Sequence, residues 1–219
     1  MPMPQSCAPL SRFRQEKAVL LAQFQTEAND TRRIDSQLKA LSKLADQYLL
    51  RLWQQHQLPT TCALVASGGF GREALFPYSD IDVLLLLPNG ADPENDADLK
   101  GHIESFVGAC WDEGLDIGSA VRTLNQCLAE SQTDISIQTA LLESRLIGGN
   151  AILFHQFQKE FRDTIKPRAF LEQKTAEMRY FVYILFTRIF ACLFLSSLGS
   201  RRIRSPCFST ASASSMIIS

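Results

Sequence analysis

Two aspartates separated by one residue, Asp80 and Asp82, stand at the start of the almost wholly apolar segment 81–87. Such a segment is typical of a buried strand, and alternate side chains of a strand point to the same face. The two carboxylates are therefore predicted to lie side by side, where each raises the pKa of the other unless a cation lies between them. We expect that cation to be Mg²⁺, which proteins bind with one or two carboxylates together with substrate phosphates.

A third acid and a pair of glycines complete this pattern. Asp116 is flanked by apolar residues in what reads as a neighbouring strand, where an acid requires a functional reason. Gly68 and Gly69 directly follow another short apolar strand, and glycines there allow backbone N–H groups to approach an anion closely. The third acid is therefore predicted to act as a base beside Asp80 and Asp82, and the glycines to hold phosphate.

Two further side chains are candidates for the same site. Arg72, four residues after the first glycine, is predicted to reach the same phosphate. Ser79 is predicted to orient Asp80 or a water bound to the metal, although serine before aspartate is also ordinary turn chemistry. A glycine turn for phosphate, two metal-binding acids and a third acid acting as base are what in-line phosphoryl or nucleotidyl transfer requires.

The composition excludes several other classes of protein. The chain has 219 residues, 46% of them hydrophobic, with a net charge of −1, so it can bury a core and has no general affinity for nucleic acid. Six cysteines without a C-x-x-C pair and three dispersed histidines argue against a structural zinc site. Reduced thiols and an N-terminus without an apolar signal region predict a cytoplasmic protein.

The composition changes abruptly near residue 178. All 23 acidic residues precede that point, whereas residues 179–219 contain five arginines, an apolar run over 180–198 and a Ser/Arg-rich end. One interpretation is a membrane anchor, since about 20 apolar residues span a bilayer. The other is a truncated or frame-shifted end that was never selected to fold with the rest, and the absence of acids favours it.

Hydrophobic periodicity and breaker residues predict a domain in which a few strands alternate with helices, an α/β or α+β arrangement. The helix that begins at Asp92 is expected to turn Trp111 toward the core. The predicted elements are helices over 11–26 and about 34–58, strands over 62–66, 81–87 and 115–123, a helix over 92–114, and two or three further helices over about 124–178.

Three segments carry a resemblance to a known family. Residues 68–82, GGFGREALFPYSDID, resemble the signature of the nucleotidyltransferase domain of bacterial PII-protein uridylyltransferase/uridylyl-removing enzymes. Residues 111–123, WDEGLDIGSAVRT, are similar to the strand of that domain that bears its third carboxylate, and residues 142–146, LESRL, to one of its helices. The likeness runs from about residue 10 to 178.

The resemblance implies an α+β, polymerase-β-like nucleotidyltransferase fold with a small mixed sheet, an N-terminal helical segment and C-terminal helices. It implies that Asp80, Asp82 and Asp116 are the Mg²⁺ ligands and catalytic carboxylates and that Gly68 and Gly69 hold the triphosphate. The implied reaction transfers UMP from UTP to a tyrosine of the PII nitrogen-regulatory protein, with glutamine as effector in full-length members.

The expected organisation is a helical segment over 1–58, a nucleotidyltransferase domain with its following helices over 59–178, and an aberrant tail over 179–219. The sequence departs from the family at Ser119, where members usually have histidine. It also has no counterpart of the family's HD phosphohydrolase and glutamine-sensing ACT domains, so neither uridylyl removal nor glutamine sensing is expected of it.

Two other functions are compatible with the same residues. One is a chain that keeps the fold and binds nucleotide or PII without catalysis, since the remaining domains of the family are missing. A small-molecule nucleotidyltransferase of the aminoglycoside type would use the same site chemistry, but the match at residues 70–73 and Pro77 argues against it.

Overall fold

The computed structural model describes residues 11–26 and 31–180, which form helices around one small sheet. Seven helices and four strands have both ends within this described part. The helices are α1 (Arg12–Thr26), α2 (Thr31–Gln55), α3 (Gly68–Gly71), α4 (Ala97–Asp112), α5 (Leu124–Thr133), α6 (Ile135–Leu142) and α7 (Ala151–Thr164). The strands are β1 (Ala63–Ala66), β2 (Ile81–Leu87), β3 (Ile117–Thr123) and β4 (Arg145–Gly149). Residues 167–180 are also helical.

The sheet has the strand order β3-β2-β1-β4 and is mixed. β1 runs antiparallel to both β2 and β4, whereas β2 and β3 are parallel. Consequently the end of β1 and the beginnings of β2 and β3 lie at the same edge of the sheet. The predicted α+β class with a small mixed sheet is confirmed.

Helices cover both faces of the sheet, because every central strand is apolar on both faces. Odd-numbered residues of β2 pack in a core with α1, α2 and α4, and its even-numbered residues Leu84 and Leu86 pack in a second core with α5, α6 and α7. Trp53 of α2 meets Phe106 of α4 edge to face, with ring centroids 5.9 Å apart. The N-terminal helices are thus part of the same packed body as the sheet.

The helix predicted to begin at Asp92 begins later. Asp96 is the N-cap of α4, and its carboxylate accepts a hydrogen bond from the Leu99 N–H at 3.0 Å. Asp92 instead forms a turn, in which its carbonyl accepts from the N–H of Asp96 at 2.9 Å. Two aspartates four residues apart can each cap a helix, so the sequence leaves the start of α4 ambiguous. The N-cap is the aspartate closer to the apolar residues of the helix. Trp111, predicted to be inward, is 57% exposed, and its neighbour Cys110 takes the buried position at this end of α4.

Residues 142–146 are not one helix as the resemblance implied. α6 ends at Leu142, and the chain enters β4 at Arg145, where Ala66 of β1 is its partner. β4 is short, and its five residues are only partly buried or exposed, so they show no clear alternation of apolar and polar residues. The sequence pattern therefore predicts a helix here, as in the segments on either side. Pairing with β1 is what makes this segment a strand.

The chain divides into two compact units, residues 1–170 and 171–219. Only 171–180 of the second unit are described, and they are helical. The tail predicted over 179–219, including the apolar run to residue 198, lies almost wholly outside the described residues. Among the residues that are described, none belongs to a helix long and apolar enough to cross a membrane.

Candidate functional site

The three predicted carboxylates lie at one edge of the sheet. β2 and β3 are parallel with Ile81 opposite Ile117, so Asp80 and Asp116 occupy corresponding positions one residue before each strand. The Ile81 N–H donates to the Asp116 carbonyl at 2.9 Å, which fixes that correspondence. The charge of Asp80 acts on Asp82, so these two carboxylates lie near one another. Asp116 precedes β3 in a turn that is closed by a hydrogen bond from the Ile117 N–H to the Leu115 carbonyl at 2.9 Å.

Two glycines flank the Asp82 carboxylate. Gly118 is the residue opposite Asp82 on β3, and a Cβ on it would lie 3.1 Å from Asp82 Oδ1. A Cβ on Gly68 would lie 3.3 Å from Asp82 Oδ2. Residue 82 is exposed as a whole, but its carboxylate is therefore packed closely between the backbone of two other segments.

This packing changes the acidity of Asp82. Desolvation of the carboxylate between the two glycine backbones raises its pKa, and the negative charge of Asp80 raises that pKa further. A raised pKa means that the ionised pair is unfavourable by itself and that a bound cation would relieve it.

The carboxylates fit a divalent cation by their chemistry. Among residues 11–26 and 31–180, none of Asp80, Asp82 and Asp116 takes part in a salt bridge. Within the same residues no group of three or more His, Cys, Asp or Glu is arranged to hold a metal ion. Mg²⁺ does not require such a protein cage, because substrate phosphates and water complete its shell. Asp80 and Asp82 therefore fit as a pair of Mg²⁺ ligands, and the role of Asp116 as a third ligand stays a prediction.

The glycine turn lies at the same edge, between the end of β1 and the carboxylates. Its single helical turn, α3, follows Ser67, whose N–H donates to the Asp82 carbonyl at 3.1 Å. Gly68 has φ +56°, a left-handed conformation that glycine adopts without strain. The first N–H groups of a helical turn have no acceptor within it, so those of Gly68 and Gly69 suit an anion.

Arg72 and Ser79 have partners of their own in the structure. Arg72 Nη1 donates to Glu143 Oε1 at 2.5 Å, in a pair whose arginine is exposed and whose glutamate is mostly buried. The Ser79 hydroxyl donates to the Phe76 carbonyl at 3.0 Å, the turn alternative considered from the sequence. Their predicted roles toward nucleotide and metal stay predictions.

Three residues important to this geometry were missed by sequence reasoning. Gly71 is one, because a Cβ on it would lie 1.8 Å from the Glu143 carbonyl oxygen, so α3 and the end of α6 approach as only glycine permits. Gly118 is another, and its signal was available: Asp116-x-Gly118 has the same spacing as Asp80-x-Asp82 on a parallel neighbour. The third, Arg145, gave no local signal.

Comparison with curated proteins confirms the family resemblance that the sequence motifs indicate. The chain is 44% identical over 178 residues to the bifunctional uridylyltransferase/uridylyl-removing enzyme of Burkholderia lata, with 81% of this chain and 20% of that protein covered. It is 46% identical over 176 residues to the enzyme of that name from Burkholderia thailandensis, covering 80% and 20%. With the Ralstonia nicotianae enzyme it shares 42% over 172 residues, covering 78% and 19%.

The chain thus spans about a fifth of the length of the curated relatives it matches. No family model matches it. Among solved structures, one described as "Crystal structure of the toxin-antitoxin with AMP-PNP" aligns with 64% of this chain and 98% of its own, at 13% identity and a TM-score of 0.34. That similarity is too low to carry an argument.

Proposed function

From the similarity of four fifths of this chain to uridylyltransferase/uridylyl-removing enzymes, we propose that it performs nucleotidyl transfer. The specific reaction is transfer of UMP from UTP to a tyrosine hydroxyl of the PII signalling protein. The relatives' names support uridylyl transfer, and the identity of the acceptor follows from the resemblance of residues 68–82 and 111–123 to that family.

The roles of the chain's own residues follow from their chemistry. Asp80 and Asp82 would hold Mg²⁺, which would supply positive charge against the triphosphate. The N–H groups at Gly68 and Gly69 donate to phosphate oxygens and orient the α-phosphate toward the carboxylate edge. Positioning of the reactants and electrostatic stabilisation of the transferring phosphoryl group account for almost all catalysis in this class of reaction.

Asp116 is the proposed general base. It accepts the proton of the tyrosine hydroxyl as the phenolic oxygen forms a bond to the α-phosphorus. The bond between that phosphorus and the bridging oxygen breaks, and pyrophosphate leaves with the electron pair. The acid is exposed and lies beside Asp80 at the edge, where an incoming protein side chain has access.

One observation carries the proposal. The parallel register of β2 and β3 supports it, because the strand beginnings that carry Asp80, Asp82 and Asp116 are neighbours in the sheet and Gly68 is next to Asp82. The amides proposed to bind phosphate, the two carboxylates proposed to bind metal and the proposed base thus belong to three segments that meet at one edge of the sheet. This is the set of groups that the reaction needs.

The test measures transfer of radiolabel from α-³²P-UTP to purified PII protein by this chain with Mg²⁺. Asp80→Asn and Asp82→Asn should lower transfer by about 100-fold or more, since each removes a charge that holds the metal. Asp163→Asn, which changes an exposed aspartate of α7, is the matched control and should keep the wild-type rate. Wild-type transfer by both site variants would refute the proposal.

Calorimetry with Mg·UTP, together with the transfer assay, distinguishes the proposed reaction from the two alternative functions. If the wild-type chain binds Mg·UTP and transfers nothing, the chain is a nucleotide-binding relative without catalysis. If ATP is bound and transferred as well as UTP to small hydroxylated acceptors but not to PII, the chain is a small-molecule nucleotidyltransferase. Binding of UTP in preference to ATP together with labelling of PII supports the proposed reaction.

A further inference from the structure

We infer that Arg145 of β4 is a positioning residue for the glycine turn, held against it by Asp46 of α2. This inference rests on the proposed function, because the turn is the proposed phosphate site. It assigns to the N-terminal helix α2 a part in shaping that site.

Arg145 is bound on one side by a carboxylate from a distant segment. Its Nη1 donates to Asp46 Oδ2 at 2.9 Å and its Nη2 to Asp46 Oδ1 at 3.0 Å, so the pair is bidentate. Both side chains are largely buried, with 25% of the arginine and 19% of the aspartate exposed. Two parallel hydrogen bonds of this kind fix the plane of the guanidinium as well as its position.

On its other side the same guanidinium reaches the end of α3. Nε donates to the Gly71 carbonyl at 3.3 Å, and Nη2 lies 3.4 Å from the Phe70 carbonyl. The guanidinium carbon is also 5.5 Å from the centroid of the Phe70 ring. The Phe70 carbonyl also accepts from the Glu73 N–H at 3.1 Å, so Arg145 gives it a second donor and gives the Gly71 carbonyl a side-chain donor, both from one rigid group.

A second connection runs from the same face of α2 to the same segment. The buried Ser42 hydroxyl accepts a hydrogen bond from the Leu75 N–H at 3.1 Å and donates to the Leu38 carbonyl at 2.9 Å. Ser42 and Asp46 are four residues apart and thus one above the other on the helix. α2 therefore holds the connection from β1 to β2 at two points. Asp46 holds the end of the glycine turn through Arg145, and Ser42 directly holds the backbone at Leu75.

The two points determine where the phosphate-binding amides lie relative to the carboxylates. Residues 67–80 connect two strands, and without these anchors a connection of this length has many conformations. Arginine is required at 145, because lysine has no planar fork with which to hold a carboxylate and two carbonyls at once. Lysine would keep the charge opposite Asp46 but lose the geometry.

The experiment compares Arg145→Lys, Arg145→Met and Arg51→Met in the full chain. Arg51 is the matched control: it is also a half-buried arginine on an acid, Glu113 at 2.9 Å, and lies over the Tyr48 ring. We measure the affinity for Mg·UTP by calorimetry, the kcat and KM of transfer, and the unfolding temperature. Both Arg145 variants should weaken Mg·UTP binding and raise KM by about 10 to 100-fold, and Arg51→Met should not.

A purely structural role predicts a different result. In that case Arg145→Lys would keep wild-type affinity, and any variant that folds would bind nucleotide normally, which would overturn the inference. Since Arg145→Met leaves an unpaired buried carboxylate, the double variant Asp46→Leu/Arg145→Met removes both charges and keeps the fold. It should retain the unfolding temperature better than Arg145→Met while still binding Mg·UTP weakly.

Amide hydrogen exchange separates this inference from the proposed function. Exchange over residues 68–75 in the nucleotide-free chain should be faster in Arg145→Lys than in wild type and unchanged in Arg51→Met. Unchanged exchange there refutes the positioning role, whatever the chain binds. Faster exchange in a chain that binds no UTP supports the positioning role and counts against the proposed function alone.

Discussion

Asp82 and Gly118 are directly opposed on the parallel strands β2 and β3, and Asp82 Oδ1 lies 3.1 Å from the point where a Cβ of residue 118 would be. The carboxylate thus uses the space that the missing side chain leaves. Gly68 provides the same space on the other side of Asp82. The position of this acid depends on two glycines that are 36 and 14 residues away in sequence.

Gly118→Ala should therefore impair the site more than the fold. The added methyl lies closer to Asp82 Oδ1 than ordinary contact allows, so the carboxylate must move by a few tenths of an ångström. We expect transfer to fall by about tenfold or more and unfolding free energy to fall by about 1 kcal/mol.

Gly108→Ala in α4 is the control for that substitution, because nothing lies within 4 Å of its Cβ position. Alanine in a helix interior should stabilise the chain by about 0.5–1 kcal/mol and leave transfer unchanged. Urea unfolding and the radiolabel assay measure both quantities. A fully active Gly118→Ala would show that Asp82 needs no fixed position.

The two glycines of the turn should respond differently to alanine. Gly68 has φ +56°, so Gly68→Ala puts a side chain in a left-handed conformation at a cost of about 1–2 kcal/mol and also crowds Asp82. Gly69 has no such conformation, and its Cβ would make an ordinary contact of 3.5 Å with the Ala74 carbonyl. Thermal unfolding should show a loss for Gly68→Ala only, and equal losses would contradict the described turn.

Gly71→Ala should be the most damaging of these substitutions. Its Cβ would lie 1.8 Å from the Glu143 carbonyl oxygen, and backbone cannot yield as a flexible side chain does. We expect a loss of about 3 kcal/mol or more in unfolding free energy, since α3 must separate from the end of α6. Circular dichroism during urea unfolding measures it, and a loss below that for Gly118→Ala would contradict the close approach.

Asp80→Asn should stabilise the chain while it removes activity. Burial raises the pKa of Asp82, and the charge of Asp80 adds to the effect. A carboxyl whose pKa is higher in the folded than in the unfolded state loses stability as pH rises from its unfolded value through its folded one. Without Asp80 this loss is smaller, so unfolding free energy at pH 7 should rise by about 0.5 kcal/mol at most, given the exposure of the pair.

Unfolding at pH 4 and pH 7 checks this sign, with Asp163→Asn as the control. The difference in stability between Asp80→Asn and wild type should be larger at pH 7 than at pH 4, because Asp82 is more fully ionised there. Saturating Mg²⁺ should reduce the advantage of the variant. A variant that is less stable than wild type at pH 7 would show that Asp80 has a favourable partner instead.

Sequence patterns predict secondary structure correctly where that structure depends on neighbouring residues alone. Strand β2 was predicted over the residues it occupies, because an apolar run bounded by a turn on each side leaves few alternatives. The start of α4 was misplaced by four residues, since Asp92 and Asp96 both have the chemistry of a helix cap. β4 was missed, since its pairing with β1 supplies what its own composition does not.

The amino-acid sequence alone determined which chemical groups the candidate site contains: a glycine pair after one apolar strand, two alternate aspartates at the start of another and a third aspartate before the next. The tertiary structure decided how they are arranged. The parallel register brought the Ile81 N–H to the Asp116 carbonyl and left Asp82 against Gly118, and Arg145 joined α2 to the glycine turn. The periodicity of apolar residues indicates only which side chains of one segment share a face. The contacts named here join segments that are far apart in sequence, so they form only when the whole sheet is assembled.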